Sequence, residues 1–376
     1  MATTFRWGII GAGWIASCFV KDLLVDPKTR GVQDVSHKVT AIGSRSVERA
    51  QEFIDKFVNG DKEVAAYGSY QGVFDDKNVD AIYIGTPHTY HYDAALAAIK
   101  SGKHVLCEKP VTSNAAELRS LIAAAKEHKV FFMEAMWTRF QPLALEVKKI
   151  AEEGSLGKPV MLHADLSGDF DIENIPKSHR ILDPQLGGGA LLDLGPYPLV
   201  WAIIALYENP ANNKGFPTTI TGSMLKTPLT GVDSSTVFTL SFTPSETSSL
   251  SALAILSCNI TLDAPEPGVT IRFERGTIII NPPIYSPRSF KVVYLNKGVA
   301  GKKEGATAHG ELARTFEYVG KGWHFQADEV ARCVRDGKLE SELWGHDKSL
   351  LEMDIFDEVR KQGGYVFPPG VGKVTA

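Results

Sequence analysis

The feature that most constrains this chain lies in its first sixteen residues. Phe5–Ile10 is a short apolar run suited to a buried strand, and Gly11, Ala12, Gly13, Trp14, Ile15 and Ala16 follow it directly. Each small residue of this GxGxxA turn has a physical rationale. Gly11 permits the tight turn, Gly13 lets the backbone approach a pyrophosphate at a helix N-terminus, and Ala16 keeps helix and strand close. The helix is predicted from Trp14 to about Leu24. Taken alone the motif also fits a structural glycine turn, but a strand before it and a helix after it are the context that dinucleotide binding requires.

The next segments repeat the strand–helix alternation. A second strand is predicted over Lys38–Gly43, ending in Ser44, Arg45 and Ser46. An acid at this strand end would bond the adenosine ribose 2′-hydroxyl, whereas hydroxyls and a guanidinium suit a 2′-phosphate, so the reading is NADP rather than NAD. The alternative is that Arg45 is a solvated residue beginning the helix Val47–Phe57. Asp80–Gly85 reads as a buried strand, after which Thr86, Pro87, His88 and His91 turn into a helix ending at Ser101 and Gly102. His104–Cys107 is another strand, closed by Glu108, Lys109 and Pro110, and the helix Ser113–His128 leads to the strand Val130–Met133. This alternation predicts an α/β N-terminal Rossmann domain with a doubly wound parallel sheet. Loops at the carboxyl ends of its strands form the ligand crevice. Gly11, Gly13, Trp14, Ile15, Ser44, Arg45, Thr86, Pro87, His88, His91, Glu108 and Lys109 are therefore the candidates to line the cofactor. Lys109 has an ordinary reading as a solvated turn lysine. His88 and His91 have ordinary readings as packing or helix-start residues.

At 376 residues the chain is too long for one typical core, which predicts two domains, here 1–141 and 142–376. It is 44% hydrophobic and 22% charged, as soluble globular chains are, and its formal net charge of −4 gives no electrostatic reason to expect nucleic acid or a membrane surface. No apolar run is expected to reach membrane-span length. Cys18, Cys107, Cys258 and Cys333 are scattered, and no His cluster has metal-ligand spacing, so neither disulfides nor a metal is expected. With a strand beginning at the N-terminus and no room for a signal peptide, a cytoplasmic location is expected.

After about Gln141 the pattern changes. A helix at Leu143–Glu153 and a strand at Pro159–Leu166 precede a polar loop, 168–185, that carries Asp169, His179, Arg180 and Asp183. Gly187, Gly188 and Gly189 then open an apolar segment with Asp193 and, four residues on, Tyr197. On a helix this pair shares one face. The glycines would admit a backbone or a ligand, and the carboxylate and phenol together suit proton handling; a glycine turn feeding a buried helix is the plainer alternative. From Thr219 the period becomes two, over Thr219–Leu225, Ser234–Phe242, Ser249–Leu262, Gly268–Ile280 (with a hairpin turn at Arg275 and Gly276) and Ser289–Leu295. These predict an α+β C-terminal domain with a large, mostly antiparallel open sheet. Small and apolar residues in Ser249–Leu262 suit a subunit interface, predicting a homodimer through this sheet. Phe325–Asp336 and Leu350–Gln362 read as amphipathic helices of the same domain.

Over essentially its whole length the chain resembles the glucose–fructose oxidoreductase/inositol dehydrogenase (Gfo/Idh/MocA) family. The resemblance rests on Gly11 to Ala16, on Glu108, Lys109 and Pro110, and on Gly187 to Tyr197, in that order and spacing. Many members carry histidine where this chain has Tyr197. The tyrosine, with Arg180 to Leu186 before it, Trp137 to Phe140, and Gly322 to Val330, is similar to the branch of dimeric dihydrodiol dehydrogenases and fungal NADP-dependent D-xylose dehydrogenases. The resemblance implies catalytic roles for Lys109, Asp193 and Tyr197. Trp137 and Arg139 are assigned to the cofactor, and Lys109, Phe140, Asp169, His179, Arg180, Asp193 and Tyr197 to a polyhydroxylated substrate. The implied reaction moves a hydride from C1 of an aldopyranose to NADP⁺. A trans-1,2-dihydrodiol is the alternative substrate, and a non-catalytic NADPH sensor the alternative class.

Overall fold

The computed structural model of the chain describes residues 3–296 and 307–374. They gather into two compact units, one of residues 3–140, 318–353 and 369–374, the other of 141–296, 307–317 and 354–368.

The first unit opens with β1 (Thr3–Ile10), α1 (Trp14–Leu23), β2 (Val35–Gly43), α2 (Val47–Phe57), β3 (Ala65–Tyr67) and α3 (Tyr70–Asp75). It continues with β4 (Ala81–Ile84), α4 (His91–Lys100), β5 (His104–Glu108), α5 (Ala115–His128) and β6 (Phe132–Ala135). The strands form one parallel sheet in the order β3-β2-β1-β4-β5-β6. The chain's direction across the sheet reverses between β1 and β4, which opens a crevice at their carboxyl ends. β4 is buried along its whole length, as helices on both faces of a parallel sheet require. β2 begins three residues earlier than the sequence suggests, because the long connection before it folds into a short turn at Pro27–Arg30 that Asp26 caps. β3 and α3, three and six residues long, are too short to show a period in the sequence.

The second unit contains α6 (Pro142–Glu152), β7 (Pro159–Ser167), α7 (Ala190–Leu194) and α8 (Pro196–Ala202), then β8 (Thr219–Lys226), β9 (Asp233–Phe242), β10 (Ala252–Asn259), β11 (Val269–Phe273), β12 (Gly276–Ile280), β13 (Ser289–Asn296) and β14 (Thr307–Thr315). Its eight strands run β14-β13-β12-β11-β7-β10-β9-β8, antiparallel except where β7 meets β10. In β10, Ala252, Ala254, Leu256 and Cys258 are buried, while Leu253, Ile255, Ser257 and Asn259 are half-buried on the other face. The predicted strand Gly268–Ile280 is a hairpin whose two loop residues are Glu274 and Arg275, one position before the predicted turn. Their amides donate to Lys158 O and Leu156 O, which fixes the turn there. The stretch Pro184–Tyr207 is long and apolar enough to cross a membrane by length and composition, contrary to expectation, but it is wholly buried in this unit. Its apolar side chains are core; Trp201 and Leu199 are fully enclosed.

The chain's last helices, α9 (Trp323–Arg335) and α10 (His346–Gln362), correct the predicted division at 142–376. α9 packs on α1 and β2 of the first unit. Asp22 accepts hydrogen bonds from the amides of Lys321, Gly322 and Trp323, capping the helix start. Arg30 forks onto the buried Asp328 at 2.7 and 2.8 Å. His37 completes this cluster, accepting from Trp7 Nε1 and turning its other nitrogen to Asp328 at 2.8 Å. The partners of Asp22 and Asp328 in these contacts lie about 300 residues away in sequence, so local pattern carries no sign of them. α10 gives its residues up to Met353 to the first unit.

Candidate active site

Gly11 sits at φ +85°, and a Cβ there would stand 2.7 Å from the Gly85 carbonyl oxygen, so only glycine fits between β1 and β4. Gly13 precedes α1, whose first turn has no side-chain cap and no acid. The leading amides of that helix are thus left for an anion. Trp14 is 74% exposed beside them, and Ile15 is half-buried. Thr86 lies at the carboxyl end of β4, its hydroxyl buried with no partner among the described residues. At the end of β2, Ser44 is buried and Arg45 is exposed, while Ser46 caps α2 by accepting from the Arg49 amide. A backbone cradle, a buried hydroxyl left over and an exposed arginine, with no acid among Ser44, Arg45 and Ser46, fit a dinucleotide carrying a 2′-phosphate. Pro87 is exposed and His88 half-buried at the same edge.

The loop after β5 is held from several directions. The Tyr83 hydroxyl donates to Glu108 Oε1 at 2.6 Å, and burial raises the Glu108 carboxyl to about 7. The Glu108 side chain is therefore interior, whatever its backbone contributes. His91 is fully buried, with Nδ1 2.8 Å from Pro110 O and Nε2 2.8 Å from Thr86 O. Burial pushes its pKa down. Both ring nitrogens face backbone carbonyls of the two crevice loops, so neither is turned towards a cofactor. The Val111 amide donates to Glu134 Oε1 at 2.9 Å. Lys109, half-buried, stands on the segment these bonds anchor. Trp137 stacks flat on Trp323, centroids 4.2 Å apart, and Arg139 and Phe140 are buried, so these three candidates pack in the interior. A separate cavity of about 530 Å³, lined by Arg6, Asp80, Lys103 and Arg335 among others, opens at the amino-terminal edge of the same sheet, away from the crevice.

In the second unit the glycine run serves packing. A Cβ on Gly188 would meet Ile181 O at 2.7 Å, and Gly189, at φ +113°, lies directly against the Asp233 carboxyl. That carboxyl accepts from the Leu191 amide at 2.7 Å and the Thr236 hydroxyl at 2.8 Å. The glycines thus make room for a remote cap of α7. Pro196 and Pro198 remove two helical donors and divide α7 from α8, yet Gly195 stays right-handed helical at φ −53°, so Asp193 and Tyr197 keep their i, i+4 relation. Arg180 donates to Asp193 Oδ1 at 2.9 Å. The Tyr285 ring, absent from the sequence-derived set, lies 5.6 Å from that of Tyr197 at 56°. Nothing local in the sequence marks this loop residue. His179 accepts from the Ile181 amide, and Asp169, exposed, from the Asp171 amide. Among the described residues no three His, Cys, Asp or Glu side chains gather as metal ligands.

A dinucleotide crevice on a parallel sheet, followed by a largely antiparallel sheet domain bearing an Asp/Tyr helix, defines a class of nicotinamide-dependent oxidoreductases. Residues 5–136 match the oxidoreductase family with an NAD-binding Rossmann fold, and residues 144–279 match the GFO/IDH/MocA C-terminal domain. The chain belongs to the Gfo/Idh/MocA family of oxidoreductases. It is 39% identical to a D-xylose 1-dehydrogenase (NADP(+)) from Hypocrea jecorina, over 97% of this chain and 93% of that one. It is 33% identical to a trans-1,2-dihydrobenzene-1,2-diol dehydrogenase from Danio rerio, over 96% and 98%. Among solved structures, a levoglucosan dehydrogenase in complex with NADH and levoglucosan shares the fold at a TM-score of 0.77 and 18% identity, covering 96% of this chain and 98% of that one.

Proposed function

We propose that the protein oxidises an aldopyranose of the D-xylose type at C1, giving a lactone, with NADP⁺ as its cofactor. The observation that carries this reading is the Asp193/Tyr197 pair on one helical face in a chain 39% identical to an NADP-dependent D-xylose 1-dehydrogenase. When bound, NADP⁺ supplies the hydride acceptor. Gly11, Gly13, Trp14 and Ile15 would hold its pyrophosphate, Ser44 and Arg45 its 2′-phosphate, and Thr86, Pro87 and His88 its nicotinamide half.

The C1 hydroxyl must lose a proton as the C1 hydrogen leaves as hydride. Tyr197 takes that proton. An ordinary phenol titrates near about 10 and is a poor base at neutrality. The role of Lys109 is to supply the positive charge that favours the phenolate. Asp193 orients the sugar hydroxyl, and its ion pair with Arg180 offsets the negative charge that would otherwise oppose the phenolate. The test is NADP⁺ reduction by D-xylose, with single and double variants at Lys109 and Tyr197. Strict additivity of their losses would break the joint role.

A trans-dihydrodiol is the second reading, favoured by 33% identity to a dihydrodiol dehydrogenase and by the Tyr285 ring beside Tyr197, on which a flat hydrocarbon could pack. Saturation curves for D-xylose and a cyclic dihydrodiol separate the two. NADPH binding with turnover of neither would point to a sensor. The protein is read as a homodimer through the half-buried face of the β10 sheet, testable by sedimentation. It is read as cytoplasmic because its four free cysteines suit a reducing compartment, testable by localising a tagged full chain.

A further inference from the structure

The cavity of about 530 Å³ at the amino-terminal edge of the parallel sheet plays no part in the reaction above. Such a sheet receives its cofactor at the carboxyl ends of its strands. An occupant of the opposite edge is therefore a different molecule, and the cavity walls say what kind.

The polar groups of these walls are fixed by bonds from behind. Arg6, on β1, sends Nε and Nη2 to the two carboxyl oxygens of Asp80 at 3.0 and 2.6 Å, and its amide donates to Asp80 Oδ2 at 2.9 Å. Lys103 Nζ donates to Asp76 O at 2.6 Å and to Val79 O at 2.8 Å. His104, the first residue of β5, accepts the Phe131 amide at Nδ1, 2.9 Å away. That bond leaves the proton of the neutral ring on Nε2. Nη1 of Arg6, the third proton of Lys103 and Nε2 of His104 meet no acceptor among the described residues. The cavity is left with a surplus of held donors.

Charge narrows the choice. Arg6 and Asp80 cancel, and Arg335 is answered by Asp34 at 3.0 Å and Asp336 at 2.8 Å. The ends of α4 and α9 have their own last-turn cations, Lys100 and Arg332. Lys103 is answered only by carbonyl oxygens at the end of α3, which bring partial charge to a full ammonium. Burial also pushes its pKa down, so an anion beside it would be stabilising. One uncancelled charge and several fixed donors match a singly charged oxygen acid better than a phosphate dianion. Val79 and Val334 add an apolar wall for the rest of the molecule.

We infer that this cavity is a second ligand site, taking a small organic carboxylate whose oxygens lie against Lys103, Arg6 and His104 and whose body lies on Val79 and Val334. The site is tested by binding alone, so its failure leaves the catalytic reading untouched.

The experiment is isothermal titration of the full-length protein, its crevice saturated with NADP⁺, with benzoate, D-xylonate and inorganic phosphate at one ionic strength. At least one carboxylate should bind, and more tightly than phosphate; the better of the two tells a flat apolar body from a polyhydroxylated one. Lys103→Met removes the charge and should weaken that binding about ten- to a hundredfold. Val334→Glu, at a half-buried helix position, should weaken it at least as much by placing a like charge on the wall, while it leaves every bond described here in place. NADPH affinity should not change in either. No binding of either carboxylate, tighter binding of phosphate than of both, or unchanged binding in a folded variant overturns the site. Bound carboxylate should also protect Lys103 from an amine-reactive reagent, read by peptide mass spectrometry. A Lys103 that labels equally fast with and without the carboxylate overturns it too, whether or not the variants fold.

Discussion

The crevice of the first unit and the Asp193/Tyr197 helix of the second are built on opposite plans. The crevice is made largely of backbone: Gly11 where no Cβ fits, uncapped amides at the start of α1, and loops tied by His91 through carbonyl oxygens. The helix is made of side chains: Asp193 ion-paired to Arg180, Tyr197 against Tyr285, and glycines whose purpose is to admit the Asp233 cap. A backbone cradle recognises a phosphate whatever the rest of the ligand is. A side-chain pair decides which proton moves. Damage to the first should therefore read out as lost binding, and damage to the second as lost turnover.

The sharpest test of that contrast is Tyr197→Phe. Removing a proton-transfer group costs about 10²–10⁴ in rate, so kcat should fall roughly a thousandfold while NADPH affinity, measured by fluorescence titration, stays as in wild type. A comparable loss of NADPH binding would erase the division of labour. On the crevice side, Arg45→Ala should weaken NADP⁺ binding by about ten- to a hundredfold, the worth of one charge-assisted hydrogen bond, with little change in NAD⁺ binding or in kcat. Equal losses for both cofactors would show Arg45 to be a solvated surface residue after all.

The same contrast explains what the sequence could reveal. The strand–GxGxxA–helix turn is legible because its glycines answer a local backbone demand, and five of the six parallel strands, all but the short β3, follow from alternating apolar runs. Tyr197 and Asp193 are legible as a pair because four-residue spacing survives even across the break at Pro196. What stays hidden is every constraint between distant residues. Asp328 pins α9 to the first unit through Arg30, Asp233 reaches back to the glycine run, and Trp323 occupies the face of Trp137. His91 and Glu108 sit where the motif predicts, yet their side chains support the crevice from inside.

That interior support predicts a pH effect confined to the first unit. Glu108 has a folded value of about 7 against an ordinary 4.5, so the folded state holds its proton more tightly than the unfolded chain does. Its contribution to stability is complete below about 4.5 and is lost as pH rises through about 7. Glu108→Gln has no proton to lose. It should therefore flatten the fall of the first transition in calorimetry between pH 5 and 8, an effect on the order of 1–3 kcal/mol. A slope identical to wild type would mean that the Tyr83–Glu108 bond holds the carboxyl ionised throughout. The Asp193/Tyr197 helix should not respond to this change.

The smallest effect tests whether the second unit's glycine run acts on chemistry or only on folding. Asp233→Ala removes the acceptor of the Leu191 amide, a cap worth about 1 kcal/mol, and should lower Tm by about 2–4 °C. Because Gly189 lies against this carboxyl, the change relieves no clash and inserts no new group. α7 should keep its place through its buried leucines, Leu191 and Leu192, at 2% and 3% exposure. Turnover per folded molecule is then expected to stay within about twofold of wild type. A fall in kcat much larger than the loss of stability would mean that the cap sets the direction of Asp193 and Tyr197. The second site would then depend, like the crevice, on a backbone held in one place.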